Sequence, residues 1–220
     1  MRHRFFIPLL ALAIAGACSG GDETLPDPGH LLERSAAAMS SVETAEFEMT
    51  VDGAAITISG LTMSSASGVY VAPDSARAVL TMSLGAITAD LGTISIAERT
   101  WLTEPLTGRW NELDPGTGFN PAVVFSDQGW EPLLADDITD ATVSSHPRGY
   151  QVDGIAPAAR IAVVTSGLVT DQDVDITLVI DRTTDRLLEV RFSTTGADGE
   201  TDWVITLGPY DEPATVEPPA

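Results

Sequence analysis

Cysteine is nearly absent from this chain and lysine is wholly absent. Its 220 residues include one cysteine, Cys18, and all 11 basic residues are arginines. A single thiol cannot form an intramolecular disulfide, so the fold must be stabilised by its core. The 32 acidic residues give a net charge of −21. This charge repels phosphate backbones and anionic headgroups, which argues against nucleic-acid binding and against adhesion through a basic patch.

Groups suited to catalysis are also few. The histidines are His3, His30 and His146, and the chain has no G-x-S-x-G, no H-E-x-x-H and no glycine-rich phosphate loop. The aspartates of DQDVD, residues 171–175, are spaced as in a calcium loop. However, the positions that would need glycine and a bidentate acid hold Ile176 and Arg182. We therefore expect no enzyme activity, no cofactor and no metal site.

The first 17 residues have the pattern of a secretory signal peptide. A short basic start is followed by an uninterrupted apolar run over residues 5–17, which is shorter than the ~20 residues of a membrane-spanning helix. The sequence AGAC, which ends at Cys18, resembles the lipobox of bacterial lipoproteins. We expect Cys18 to be acylated and to anchor the chain to the outer face of the cytoplasmic membrane. The alternative is an ordinary signal peptide that ends beside a chance cysteine.

The mature chain is predicted to contain one domain. Residues 18–28 mix glycine, proline and acids without periodicity and are typical of a tether, whereas residues 209–220 form a proline-rich tail. The domain therefore covers residues 29–208. Without Arg2 and Arg4 of the leader, 9 basic residues remain against 32 acidic ones, so the mature net charge is about −23.

Alternation of apolar and polar residues dominates the domain. After a predicted helix over residues 30–42, the segment EFEMTV places Phe47, Met49 and Val51 on one face. The same period of two appears in AITIS, AVLTMSL, AITADLG and TISIAE, which we interpret as segments separated by turns. Trp101 and Trp110 flank a further turn. This pattern predicts an antiparallel meander with one solvent-facing side.

The middle of the domain departs from this alternation. Asn120 and Pro121 are suited to starting a short helix, a second apolar segment passes through Leu133 and Leu134, and a third helical segment follows Pro157. Long strands then return between residues 173 and 207, joined at RTTD and TGADGET. Strands, helices and strands in this order predict an α+β fold around one large antiparallel sheet.

Several of these stretches together resemble the LppX/LprG-type lipoproteins of actinobacteria, a group that also includes LprA and LprF. The resemblance rests on the lipobox, LLERSAAAMSSVETAEFEMTVDG, FNPAVVFSDQGWEPLL, GYQVDG, VDITLVIDRTTDRLLEVRFS and the closing YDEPATVEPP, in this order. It implies a single strongly curved sheet, a half-barrel similar to the LolA/LolB carriers, with helices on the concave side closing a hydrophobic cavity.

The resemblance also implies that the cavity binds acylated lipids. We expect its lining among the apolar residues of the helices and strands: Leu32, Met39, Phe47, Met49, Ile56, Ile58, Met63, Leu80, Met82, Val124, Phe125, Leu133, Leu134, Ile161 and Val164. Methionine adapts to irregular apolar contents. For each of these residues, ordinary core packing is the alternative interpretation.

The function expected from these features is that of a monomeric, membrane-anchored lipid carrier. Its ligand would be a neutral acylglycerol or an uncharged glycolipid, because the acidic chain would repel anionic headgroups unless Arg109, Arg148 or Arg160 clustered at the cavity mouth. A lipid exporter or an acceptor protein would be its partner. The alternative is a tethered protein-interaction module with a solid core and no lipid cargo.

Overall fold

The computed structural model describes residues 24–58, 61–105, 107–115, 117–196 and 198–220, without the side chains of Ile58 and Leu84. Cys18, the leader and most of the tether lie outside the described residues. None of the described helices is long and apolar enough to cross a membrane.

One open antiparallel sheet of twelve strands organises the described chain. Its strand order is β7-β6-β5-β4-β3-β1-β12-β11-β10-β9-β8, and β2 pairs with β3 beside this path. The first and last strands of the path lie at opposite edges, so the sheet does not close into a barrel. The predicted class, an α+β fold on a curved half-barrel, is confirmed.

The strands occupy most of the chain between residues 44 and 210. Their bounds are β1 (Thr44–Gly53), β2 (Ile56–Ile58), β3 (Leu61–Val71), β4 (Ser75–Leu84), β5 (Ile87–Ile96), β6 (Arg99–Thr103), β7 (Trp110–Glu112), β8 (Thr139–His146), β9 (Gly149–Ala156), β10 (Val174–Asp181), β11 (Leu187–Gly196) and β12 (Gly199–Tyr210). In β1 the apolar Phe47 and Met49 are buried, whereas Glu46 and Glu48 are exposed. The alternation predicted from the sequence therefore separates a core face from a solvent face.

Short helices supply the remaining regular structure. They are α1 (Pro28–Ser40), α2 (Ala122–Phe125), α3 (Trp130–Pro132), a π-helical turn (Leu133–Asp137) that continues α3, and α4 (Ala158–Val164). Asp27 caps α1 by accepting a hydrogen bond from the His30 N–H at 3.1 Å, with proline at the first helical position. The buried apolar side chains of all four helices belong to the same core cluster as the buried face of the sheet.

Two strands differ from the sequence interpretation. AITADLG and TISIAE form one continuous strand, β5, in which Gly92 makes no turn. Gly92 instead leaves room for the Trp110 ring, because an added Cβ would lie 2.7 Å from it. The serine-rich β3 was not predicted at all. Its Gly68 allows close pairing with β4, since a Cβ there would lie 2.2 Å from the Arg77 carbonyl oxygen.

Candidate functional site

The apolar face of the sheet and the helices over it enclose a single core. Of the fifteen residues predicted to line a cavity, twelve are buried in this core: Leu32, Met39, Phe47, Met49, Met63, Leu80, Met82, Val124, Leu133, Leu134, Ile161 and Val164. Ile56 and Phe125 are partly buried against the core. The side chain of Ile58 is not described. The predicted set therefore lies on the side of the sheet that the helices cover.

A small apolar cavity lies within this core, between the sheet and the helices. Its volume is about 20 Å³, and it is lined by Phe47, Met49, Phe119, Pro121, Val124, Phe125, Trp130, Val164, Ile205 and Leu207. This volume holds about one water molecule, whereas ligand pockets commonly measure about 300–1,000 Å³. The cavity is therefore too small, as it stands, for a ligand of ordinary size.

Only part of the predicted set reaches this cavity. Phe47, Met49, Val124, Phe125 and Val164 line it, whereas the other predicted residues with described side chains pack elsewhere in the core. Sequence reasoning did not select five further lining residues: Phe119, Pro121, Trp130, Ile205 and Leu207. The alternation of WVITL in the last strand was a usable signal for the two β12 residues. No comparable signal marked the others.

An open groove of about 740 Å³ lies next to the cavity. It is lined by Ala97, Glu98, Thr100, Pro115, Thr117, Gly118, Asn120, Val123, Ala162, Val163, Ser166 and Gly167. The segment 117–124 contributes to both spaces. Asn120 and Val123 border the groove, whereas Phe119 and Val124 border the cavity. Residues of α2 and of the segment before it therefore border both the open groove and the small cavity.

Few interactions hold α2 in this position. The Phe125 ring stacks on Tyr70 at 4.5 Å between centroids, and the Thr93 hydroxyl donates to the Phe119 carbonyl at 3.2 Å. The Asn120 side chain accepts a hydrogen bond from the Ala122 N–H at 3.0 Å at the start of the helix, whose N-cap residue, Pro121, makes no side-chain cap. A helix of four residues has little stability of its own. These contacts and the apolar packing beneath α2 therefore hold it in place.

Comparison with known proteins identifies the family. The model of the LppX_LprAFG lipoprotein family matches residues 27–216. The chain belongs to this family.

Solved structures similar to this LppX_LprAFG member have the same fold. LprF from Mycobacterium bovis is 17% identical, with 89% of this chain and 98% of LprF covered and a TM-score of 0.68. LppX from Mycobacterium tuberculosis is 14% identical, with 87% and 100% covered and a TM-score of 0.58. No curated protein matches the sequence. Family membership places the chain among extracytoplasmic lipoproteins, as the resemblance implied.

The groove of this LppX_LprAFG member carries one charged side chain, that of Glu98. None of the three arginines considered for the cavity mouth lines it. Arg148 is paired with the buried Glu189, and Arg160 with Asp137. Arg160 also donates to the Gln128 carbonyl at 2.9 Å, which connects α4 to the segment between α2 and α3. Arg148 and Arg160 thus form ion pairs within the fold, and neither side chain lines the groove.

Titratable groups are sparse around both spaces. Burial raises the pKa of the Tyr70 hydroxyl, and the nearby Asp74 adds to the shift. Tyr70 therefore stays neutral at physiological pH beneath Phe125. No group of three or more histidine, cysteine, aspartate or glutamate side chains that could hold a metal occurs among the described residues. His30 faces Glu33 at 3.4 Å, and His146 accepts a hydrogen bond from the Arg148 N–H in the β8–β9 turn.

Proposed function

We propose that this lipoprotein binds a neutral acylated lipid between its helices and the concave face of the sheet, and carries it within the cell envelope. Acyl chains need an apolar environment, since transfer of a 16-carbon chain to water costs roughly 13 kcal/mol at about 0.8 kcal/mol per CH₂. The observation that carries the proposal is the apolar cavity under α2, in a member of the LppX_LprAFG family.

Loading would proceed by displacement of α2. The groove outside α2 is large enough for a lipid, and its apolar lining includes Val123, Ala162 and Val163. Once α2 and the segment before it move, the groove and the cavity become one continuous space. Reclosure around the cargo would shield its chains. Opening at an acceptor membrane would release it, because a permanently closed site would retain the lipid.

The charge of the groove favours an uncharged cargo. Glu98 is its single charged lining residue, and no arginine side chain lines it to neutralise a phosphate. Glu98 is exposed, so it repels an anionic headgroup modestly and most strongly at low salt. A triacylglycerol or an uncharged glycolipid therefore suits the groove better than an anionic phospholipid.

Membrane attachment completes the proposed function. Acylation of Cys18 would keep the carrier at the outer face of the cytoplasmic membrane, with the residues between Cys18 and the Asp27 cap of α1 as its tether. Two or three acyl chains hold a protein at a bilayer stably, whereas one holds it marginally. Replacement of Cys18 by serine should release the protein from the membrane fraction. A Cys18→Ser protein that stays with membranes as the wild type does would contradict this anchor.

A second candidate function has one observation in its favour. The cavity of about 20 Å³ is small, as expected for a tethered protein-interaction module with a solid core. Such a module would recruit an exporter or acceptor protein through its acidic surface. It differs from a carrier in one measurable property, since it has no cargo.

Native mass spectrometry of gently purified protein distinguishes the two functions. A carrier retains a lipid of definite mass that is lost after denaturation, whereas an interaction module is found empty. A competition between triacylglycerol and phosphatidylglycerol of matched chains, at low salt, then tests the headgroup. Preferential loading of phosphatidylglycerol would refute the neutral cargo, and failure to load any lipid would refute the carrier.

A further inference from the structure

The Trp130 indole carries a hydrogen-bond donor that nothing in the described structure uses. Trp130 is 1% exposed and lines the cavity under α2. Its Nε1–H has no hydrogen-bond partner among the described residues. Leaving a buried polar group unpaired costs about 1–3 kcal/mol, and buried tryptophans usually find a partner for this group. An unpaired donor at this place therefore calls for an explanation.

The other fully buried tryptophan shows the usual arrangement. Trp203 in β12 is completely buried, and its Nε1–H donates to the Thr194 hydroxyl at 2.9 Å. Thr194 lies on the neighbouring strand β11. Trp130, by contrast, begins α3 and lines the cavity together with nine apolar residues. The unpaired state is thus a property of this site rather than of buried tryptophans in this protein.

The local backbone fixes the position of Trp130. Gly129 lies so close to the preceding helix that an added Cβ would be 1.8 Å from the Val124 carbonyl oxygen. The Gly129 N–H also donates to the Ser126 carbonyl at 3.1 Å. Glycine at this position allows the chain to fold back tightly after α2 and to place the indole against the sheet. Trp130 and Val124 therefore reach the same cavity from adjacent helices.

Water is a poor partner for this donor. The cavity has room for about one water molecule, but a buried water typically makes about three hydrogen bonds. Among the side chains that line the cavity, Trp130 supplies the only N–H or O–H group, and the Met49 sulfur is at best a weak acceptor. The donor is better matched by a ligand that is apolar everywhere except at one acceptor.

We propose that the Trp130 Nε1–H donates a hydrogen bond to an acyl carbonyl oxygen of the bound lipid, and so makes the protein selective for ester- or amide-linked chains over plain or ether-linked ones. This inference rests on the proposed lipid-binding function. An acyl lipid brings a carbonyl at the head of each apolar chain, which satisfies the indole without placing any other polar group in the cavity. A hydrocarbon offers the donor no acceptor, and an alkyl ether offers only its ether oxygen, which is a weaker acceptor than a carbonyl oxygen.

Binding of two matched probes tests this role: a triacylglycerol, and the trialkyl glyceryl ether with chains of the same length. Wild-type protein, Trp130→Phe and Trp101→Phe are compared as purified full-length chains. Trp101→Phe makes the same chemical change in β6, in a residue that lines neither space and that lies under the Arg99 guanidinium. Trp130→Phe keeps an aromatic ring, although a smaller one, and removes the donor.

We expect Trp130→Phe to weaken binding of the triester by about 2- to 12-fold, the range for one neutral hydrogen bond, and to weaken binding of the triether by a smaller factor. Trp101→Phe should bind both probes as the wild type does. Equal affinities of wild type and Trp130→Phe for the triester would overturn the inference and leave the carrier intact. An equal loss for both probes would also overturn it, since that result indicates packing alone. Failure of the wild type to bind either probe would refute the carrier itself.

A spectroscopic readout keeps the test independent of whether Trp130→Phe folds. The chain has four tryptophans, so wild-type protein labelled with ¹⁵N gives few indole N–H signals. Trp130→Phe or a second variant, Trp130→Tyr, assigns the relevant one. The triester should shift the resonance of the Trp130 indole proton downfield relative to the triether, because only the ester supplies a carbonyl oxygen as acceptor. Identical shifts with both saturating probes would refute the hydrogen bond.

Discussion

Two helices on the concave side, α1 and α2, are held to the sheet in very different ways. α1 has 13 residues and a side-chain cap, and its Arg34 forms a two-bond ion pair with Asp185 at 2.9 and 3.1 Å. α2 has four residues and depends on ring stacking and a few hydrogen bonds. Leu31 in α1 is completely buried, whereas Val124 in α2 borders a cavity.

This difference divides the helices of the concave side into a fixed part, α1, and a part suited to motion, α2. Local opening begins where few buried contacts and few hydrogen bonds must be broken. α2 meets this description, and it also borders both the groove and the cavity. α1 instead contacts α3, the π-helical turn and β8, which join it to the rest of the core. A carrier needs both properties, a stable frame and a small segment that opens.

The largest expected effect compares two leucines, Leu31 in α1 and Leu207 in β12, which lines the cavity under α2. Leu31→Ala should lower the free energy of unfolding by about 4 kcal/mol, near the upper end for a buried leucine. Leu207→Ala, at the cavity, should cost about 2–3 kcal/mol, because a side chain beside a void has fewer contacts to lose. Urea unfolding of both variants measures the two costs. An equal or larger loss of stability for Leu207→Ala would show that the core at the cavity is packed as tightly as the core at α1.

The second prediction concerns the ring that holds α2. Phe125→Ala removes the stacking on Tyr70 and should destabilise α2 locally by about 1–3 kcal/mol. This cost includes the lost burial of the ring and the lost interaction between the two rings. Hydrogen exchange at the Val124 amide, which donates to the Pro121 carbonyl, should accelerate, together with lipid transfer to vesicles. Phe125→Leu is the control and should restore most of the protection. Unchanged exchange in Phe125→Ala would mean that α2 opens by another route.

A third, smaller effect is expected at Arg160. Arg160→Gln removes the pairing with Asp137 and weakens the link to the Gln128 carbonyl, so it should lower the free energy of unfolding by about 1–2 kcal/mol. The control is Arg99→Gln, which breaks an exposed pair with Glu112 at the β6–β7 edge. Its effect on the thermal midpoint should be smaller and should vanish at high salt. A greater loss in the control would contradict the structural role of Arg160.

The sequence was sufficient for the fold but not for the wall of the cavity. Alternation revealed β1, β4 and the last three strands, because each has one wet face. It failed at β3, where serines interrupt the pattern, and at β5, where Gly92 resembled a turn. The cavity depends on pairing between distant strands. β1 pairs with β12, which places Phe47 opposite Leu207 and Met49 opposite Ile205.

Nothing in the local sequence shows that these residues, more than 150 positions apart, share one surface. For the same reason, composition could indicate an apolar interior but not its free volume. Trp130 shows a further property that the local sequence does not reveal, namely whether a buried donor has a partner. Its burial follows an ordinary apolar pattern, whereas its unpaired donor becomes visible only when the neighbours of the indole are known.

The smallest expected effect tests whether the stability of the fold away from α2 depends on pH. Asp211 lies just after β12, and burial tends to raise the pKa of its carboxyl. Hydrogen bonds from the Glu43 N–H and from Arg186 outweigh burial, so the pKa falls below its ordinary value of 3.8. The ionised carboxylate therefore stabilises the fold above about pH 4. That contribution is lost as the pH falls through the lower pKa of the folded protein.

Asp211→Asn should consequently be less stable than the wild type at neutral pH, by under about 1 kcal/mol because the ion pair with Arg186 is partly exposed. The difference between the two proteins should shrink below about pH 4, since the wild type then loses the same interaction. Urea unfolding from pH 7 to pH 2.5 measures this. A difference that stays constant over the whole range would show that the charge of Asp211 does not stabilise the fold. Lipid exchange through α2 should not distinguish the two proteins at any pH where both are folded, because Asp211 lines neither the groove nor the cavity.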